Sequence, residues 1–250
     1  MKKRLFLNSC GVRLDLLLEL PEGERPFPLL LLVHGVTGNK LERHLEGIAG
    51  AALQAGFAVL RADLYGHGES GGRFEDHTVG IWKQNLLELL DYAAALPLVS
   101  GIWLSGHSQG GLAVMLAAAE RPDLVRGLIP LSPAWMIPEK ARQGSVLGHD
   151  FDPADPPAAL PIKEGFTLGR DYLLCAQTTD PEAAMDAYPG PVLIVQGTAD
   201  ASVPWGWASR AAERYRHAEL ALIHGDTHCY DRHLDEVESF VGAWLRRQKP

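Results

Sequence analysis

The sequence predicts an α/β fold with a mainly parallel central sheet, and three observations predict it. Unbroken apolar runs recur at residues 28–34, 57–60, 102–105, 127–131, 192–196 and, more weakly, 218–223. Runs without polar alternation suit strands buried on both faces, the setting of a parallel sheet. Stretches with apolar residues at helical spacing separate them, and such alternation is the signature of the α/β class. The chain of 250 residues, 46% hydrophobic and 22% charged, suffices for one large domain whose core needs no disulfide staples.

Taken in order, residues 5–8 and 12–20 read as two strands, and the turn Pro21-Glu22-Gly23-Glu24 follows the second. The buried run at 28–34 precedes a helix over 43–55. Strand 57–60 is followed by a helix over 78–96, where Ile81, Trp82, Leu86, Leu89 and Leu90 fall on one side. Strand 102–105 leads to an Ala-rich helix over 111–120, with Pro122 just beyond it. Helices over 205–215 and 231–247 flank the strand at 218–223. The rhythm breaks between residues 133 and 186, which carry Pro138, Pro153, Pro156, Pro157, Pro161 and Pro181. A segment this long inside a compact domain has structure of its own or serves function. It is expected to be a cap inserted into a core formed by 1–132 and 187–250, with a passive surface excursion as the alternative.

Charge and cysteine content exclude several partners. With 23 basic and 31 acidic side chains the formal charge is −8, which repels phosphate backbones, so no nucleic-acid partner is expected. No apolar run reaches membrane-spanning length, and the apolar stretch behind Met1-Lys2-Lys3-Arg4 is too short for a secretory signal. Cys10, Cys175 and Cys229 are too scattered for a disulfide framework, and three reduced thiols in a cytoplasmic protein are expected.

Chemistry concentrates at Gly106-His107-Ser108-Gln109-Gly110, between a buried strand and a helix. A serine at such a tight turn is lifted out at the carboxyl end of the sheet, above a helix amino terminus that favours developing negative charge. Gly68-Glu69-Ser70-Gly71-Gly72 repeats the pattern, but no buried strand runs into it and no apolar helix follows. Ser108 is therefore the expected nucleophile and Ser70 part of a flexible loop.

A serine hydroxyl needs a base, and the base needs a third group to fix its tautomer. Of ten histidines, five follow Ser108. His228 lies in Gly225-Asp226-Thr227-His228-Cys229, a loop between the last strand and the last helix, whereas His224 and His233 read as structural and His149 and His217 lie in the cap and near a helix end. For the acid, Asp200 directly follows the buried run at 192–196, at the sheet edge where Ser108 emerges; Asp226 is the competitor, and its place two residues before His228 suits a turn former. The expected oxyanion donors are the backbone N–H of Gln109, just after the nucleophile, and that of Val36 in the loop His34-Gly35-Val36-Thr37-Gly38.

No metal site is expected, because His224, His228 and His233 lack the spacing of a zinc helix, and Gly66-His67-Gly68 is not followed by the Gly-Lys-Ser/Thr of a phosphate loop. No cofactor is implied. Trp135, Met136, Phe151, Phe166 and Tyr172 of the cap either line an apolar acyl pocket or form the cap's own small core; both readings stay open. An exposed apolar cap would support a homodimer, though nothing in the sequence forces one.

Together, His34-Gly35, the stretch Asp63-Leu64-Tyr65-Gly66-His67-Gly68-Glu69-Ser70, the serine turn, Gly197-Thr198-Ala199-Asp200 and Gly225-Asp226-Thr227-His228 resemble the α/β-hydrolase superfamily over nearly the whole chain. The order Ser, acid, His is that of the superfamily. More narrowly, His34-Gly35-Val36-Thr37-Gly38-Asn39-Lys40, Leu131-Ser132-Pro133-Ala134, Leu168-Gly169-Arg170-Asp171-Tyr172-Leu173 and His228-Cys229-Tyr230 resemble bacterial feruloyl (cinnamoyl) esterases. That resemblance implies hydrolysis of a small-molecule hydroxycinnamate ester through an acyl-serine. It implies oxyanion donors at Val36, where a Phe is common, and at Gln109. It also implies a cap tyrosine facing the phenolic ring, which Tyr172 matches.

Overall fold

In the computed structural model, which describes residues 1–24 and 26–248, the chain opens with a hairpin. Strands β1 (Lys2–Ser9) and β2 (Val12–Glu19) pair antiparallel around Cys10 and Gly11, both at positive φ. β3 (Phe27–Val33), α1 (Arg43–Gln54), β4 (Ala58–Ala62), α2 (Val79–Ala94), β5 (Val99–His107), α3 (Gln109–Glu120) and β6 (Val125–Leu131) continue the alternation. The cap follows: α4 (Ile137–Arg142), the ribbon β7 (Ser145–Val146) and β8 (His149–Asp150), a second ribbon β9 (Ala159–Lys163) and β10 (Phe166–Gly169), then α5 (Arg170–Thr178) and α6 (Pro181–Ala187). The core resumes with β11 (Val192–Gly197), α7 (Gly206–Arg214), β12 (Ala218–Ile223) and α8 (Leu234–Gln248).

The core strands form one eight-stranded sheet, ordered β1-β2-β4-β3-β5-β6-β11-β12. β1 and β2 are antiparallel to each other and β2 to β4; the pairings from β4 through β12 are parallel. The expected α/β class is therefore what the chain adopts. The run at β3 shows why its apolar residues are unbroken. Leu29, Leu31 and Val33 pack with Trp82, Leu86 and Leu104 on one face, while Leu30 and Leu32 pack with Leu45, Ile48 and Trp244 on the other. All five β3 side chains are fully buried, each worth about 1.5–3 kcal/mol.

Three boundaries differ from the sequence expectation for physical reasons. β1 runs from Lys2 rather than residue 5, because its backbone pairs with β2 from Lys2 onward although the side chains of Lys2, Lys3 and Arg4 are exposed and charged. α3 begins two residues early, at Gln109, with Ser108 as its N-cap residue. α8 begins three residues late, because the Asp226 carboxylate accepts the backbone N–H groups of Arg232 (3.1 Å) and His233 (3.0 Å) and draws them into the preceding loop.

Candidate active site

The turn at Ser108 is built by sterics. Ser108 has φ 55° and ψ −119°, a conformation costing a non-glycine residue about 1–3 kcal/mol. A side chain at residue 106 would strike the backbone of Gly110 and Gly111, so only glycine lets β5 turn directly into α3. The turn is tied down on both sides: the Ser108 N–H donates to the Leu131 carbonyl (2.9 Å), and the Ser108 carbonyl accepts from Ala134 (3.0 Å) at the start of the cap.

The loop after β3 lies against this turn. A methyl group at Gly35 would sit 3.0 Å from the Ser108 Cβ. His34 anchors the loop from below. Its Nε2 accepts the Leu64 N–H (3.0 Å), so Nδ1 carries the proton and donates to the Gly35 carbonyl (2.8 Å). Burial pushes this imidazole down to about 3, which keeps the ring neutral. The far end of the loop is fixed by the buried Lys40 ammonium between Asp15 (2.8 Å) and Asp63 (2.5 Å). Among the described residues, neither the Val36 N–H nor the Gln109 N–H has a hydrogen-bond partner.

Asp200 and His228 meet. His228 Nδ1 lies 2.7 Å from Asp200 Oδ2, and the same oxygen accepts from the Gln196 amide (2.9 Å). Oδ1 accepts the N–H groups of Ser202 and Val203, each at 2.8 Å. Burial pushes the Asp200 carboxyl up, but His228 and these donors outweigh it, so its pKa lies below the ordinary value. With Nδ1–H given to Asp200, the neutral ring leaves Nε2 as the basic nitrogen. Asp226 is spent otherwise: fully buried, it accepts three backbone N–H groups, from Thr227, Arg232 and His233. Ser70 is likewise structural. Its hydroxyl donates to the Asp63 carbonyl (2.7 Å) and accepts the Asp15 N–H (2.8 Å), stapling the loop after β4 to β2.

Ser108, His228 and Val36 line one cavity of about 610 Å³ roofed by the cap. On the cap side it is lined by Met136, Ile137, Val146, Leu147 and Ile162, together with Lys140 and Lys163. Of the five cap residues weighed for the pocket, Met136 lines it, and Trp135, Phe151, Phe166 and Tyr172 do not. Trp135 is 3% exposed and faces α7, donating Nε1–H to the Trp207 carbonyl (2.9 Å) beneath the Arg210 guanidinium. Phe166 stacks edge-on with Phe74 (4.7 Å). Tyr172 is fully buried behind the serine turn, where its hydroxyl donates to Gln109 Oε1 (2.7 Å). Aromatic rings in a small cap satisfy its own core first; the apolar count cannot say which way they face.

Tyr172 thus braces the Gln109 side chain just after the serine turn. Gln109 Nε2 is buried without a partner, so Tyr172→Phe would leave both ends of the amide unsatisfied. The expected loss is about 1–3 kcal/mol in urea unfolding, with the cavity unchanged. A midpoint equal to the parent's would show that the bond contributes nothing.

Glu42 and Cys229 also line the cavity, and sequence reasoning missed both. Glu42 directly precedes α1; burial raises its carboxyl, and Oε2 has no hydrogen-bond partner. The one signal for it was adjacency to the loop ending at Lys40. Burial pushes the Cys229 thiol up to about 11, so it stays protonated. Among the described residues no three His, Cys, Asp or Glu side chains are arranged to hold a metal ion, and no helix is long and apolar enough to cross a membrane.

Comparison with known proteins places the chain among relatives. Residues 24–151 match the family model described as serine aminopeptidase, S33, and residues 168–249 match that of TAP-like protein. Est1E from Butyrivibrio proteoclasticus, solved with ferulic acid bound, is 44% identical over 98% of both chains, with a TM-score of 0.96. The mouse sn-1-specific diacylglycerol lipase ABHD11 is 34% identical over 50% of this chain and 39% of its own. The mouse mitochondrial palmitoyl-protein thioesterase ABHD10 is 26% identical over 78% of this chain and 66% of its own. The matched region thus spans between two fifths and two thirds of those two relatives. On the serine turn, the sheet order and these matches, the chain belongs to the α/β-hydrolase superfamily and is a close relative of Est1E.

Proposed function

We propose that the protein hydrolyses small-molecule carboxylic esters of hydroxycinnamic (feruloyl or cinnamoyl) acids through an acyl-serine intermediate. The observation that carries this reading is the likeness, over nearly the full length of both chains, to a protein that binds ferulic acid. In this mechanism His228 Nε2 takes the Ser108 proton as the hydroxyl oxygen attacks the ester carbonyl. Asp200 holds the ring in its Nδ1–H tautomer and stabilises the imidazolium. The Val36 and Gln109 N–H groups receive the oxyanion, each worth about 3 kcal/mol. The alcohol leaves with the proton from His228. Water, deprotonated by the same imidazole, then attacks the acyl-serine and releases the free acid and Ser108. The cap, taken as residues 133–186, covers the acyl side.

A second reading has an observation of its own. Five aliphatic cap side chains line the cavity beside Lys140 and Lys163 and, histidines apart, no aromatic side chain does, which suits a short aliphatic acyl group. Methyl ferulate and methyl butyrate share a leaving group and separate the two. At least a tenfold advantage in kcat/KM for the ferulate is expected; a preference for the butyrate makes the protein a general short-acyl carboxylesterase.

We also propose a cytoplasmic location, which the free thiols Cys10, Cys175 and Cys229 support. A homodimer would cover the exposed cap groups Leu147 (37% exposed) and Leu174 (41% exposed), and sedimentation equilibrium tests for one.

A further inference from the structure

We infer that His107 is a positioning residue that locks the oxyanion loop, the serine turn and the His228 loop into one register. The inference rests on the reading of Ser108 as nucleophile and His228 as base. His107 precedes Ser108 in the chain, so its backbone belongs to the turn itself. Its Nε2–H donates to the backbone carbonyl of His228 at 2.8 Å. Its Nδ1 faces the oxyanion loop, where a methyl group at Gly35 would lie 3.1 Å away. Its ring lies 4.6 Å from that of His228, and His44 closes in from behind, edge-on at 4.4 Å.

One hydrogen bond matters most. Asp200 fixes the His228 ring, but among the described residues the backbone of His228 makes a single hydrogen bond, the one to His107. Without it, the loop carrying the base would be anchored at His228 only through the ring that has to work. A neutral donor is required there, because a fixed cation would oppose formation of the imidazolium. Burial supplies neutrality: His107 is 3% exposed, and desolvation, with the neighbouring His228 and His44, holds its pKa well below the ordinary value.

Three variants test this. Glutamine places an amide N–H near the position of the imidazole Nε2–H; asparagine is one methylene too short; leucine has no donor. His107→Leu and His107→Asn are expected to lower kcat on methyl ferulate by about 10- to 100-fold, the scale of a misplacement near 1 Å, with KM within about twofold. Fluorophosphonate labelling of Ser108 should slow by the same factor. His107→Gln should recover to within about fivefold of the parent in both assays. Circular dichroism and thermal melting confine the comparison to folded variants, and the Gln/Asn pair, both polar, keeps it informative if Leu unfolds. Parent-like kcat and labelling in folded His107→Asn, or equal loss in Asn and Gln, overturns the inference. The labelling arm needs no particular ester. A parent protein that labels at Ser108 but ignores ferulate sinks the substrate reading while leaving this one standing.

Discussion

Ser108→Ala lowers kcat on methyl ferulate by about 10⁴- to 10⁶-fold, the loss that follows removal of a nucleophile acting as a unit with its base. The fold should survive. The Ser108 hydroxyl makes no hydrogen bond among the described residues, and alanine keeps the backbone bonds to Leu131, Leu112 and Ala134. KM should change little, because the cavity walls are untouched. Steady-state kinetics on freshly purified protein, with circular dichroism alongside, checks both halves. Retained turnover would transfer the chemistry to another side chain, and the Ser70 hydroxyl is already engaged by the Asp63 carbonyl and the Asp15 N–H.

Acid weakens the protein steeply. Burial holds His34 and His77 down to about 3, and His44 and His67 down to about 4, against an ordinary value of 6.5. These folded-state values are depressed, so their contribution is fully present above the unfolded value. It is lost as pH falls below about 6.5, because the unfolded chain then binds protons that the folded chain refuses. At pH 5 each neutral ring costs about 2 kcal/mol, so the four together approach the whole stability of an ordinary domain. The His34 ring shows why they resist: protonating Nε2 would remove the acceptor of the buried Leu64 N–H. The urea midpoint should therefore fall sharply between pH 7 and pH 5. A midpoint that stays level over that range would mean the rings are solvated or paired in some other way.

The fold and the site were legible in the sequence to different depths. Buried parallel strands write their burial directly, so β3 and β5 could be read from apolar runs alone. The serine turn was legible because the constraint is local: strand, glycine, serine and helix follow one another along the chain. The pairing of Asp200 with His228 is not local, yet both lie on loops at the carboxyl ends of adjacent strands, β11 and β12. Strand order does the work that sequence distance obscures. The cap was illegible because its ribbons are short and its aromatic residues have no periodicity to say which side they face. Tyr172 turned behind Gln109, Trp135 toward α7 and Phe166 toward Phe74, each settling against a partner far away in sequence. Glu42 gave only its adjacency to the loop ending at Lys40, since an acidic residue just ahead of a helix otherwise reads as an ordinary start.

The central claim is that Ser108 is the activated nucleophile of this cavity. Labelling with a fluorophosphonate, followed by peptide mass spectrometry, tests it without choosing a substrate. One covalent adduct per chain is expected, on Ser108, absent in Ser108→Ala and strongly slowed in His228→Ala. No adduct, or an adduct on Ser70 or Cys229, would contradict the account and leave a hydrolase-like scaffold without hydrolase chemistry at this site.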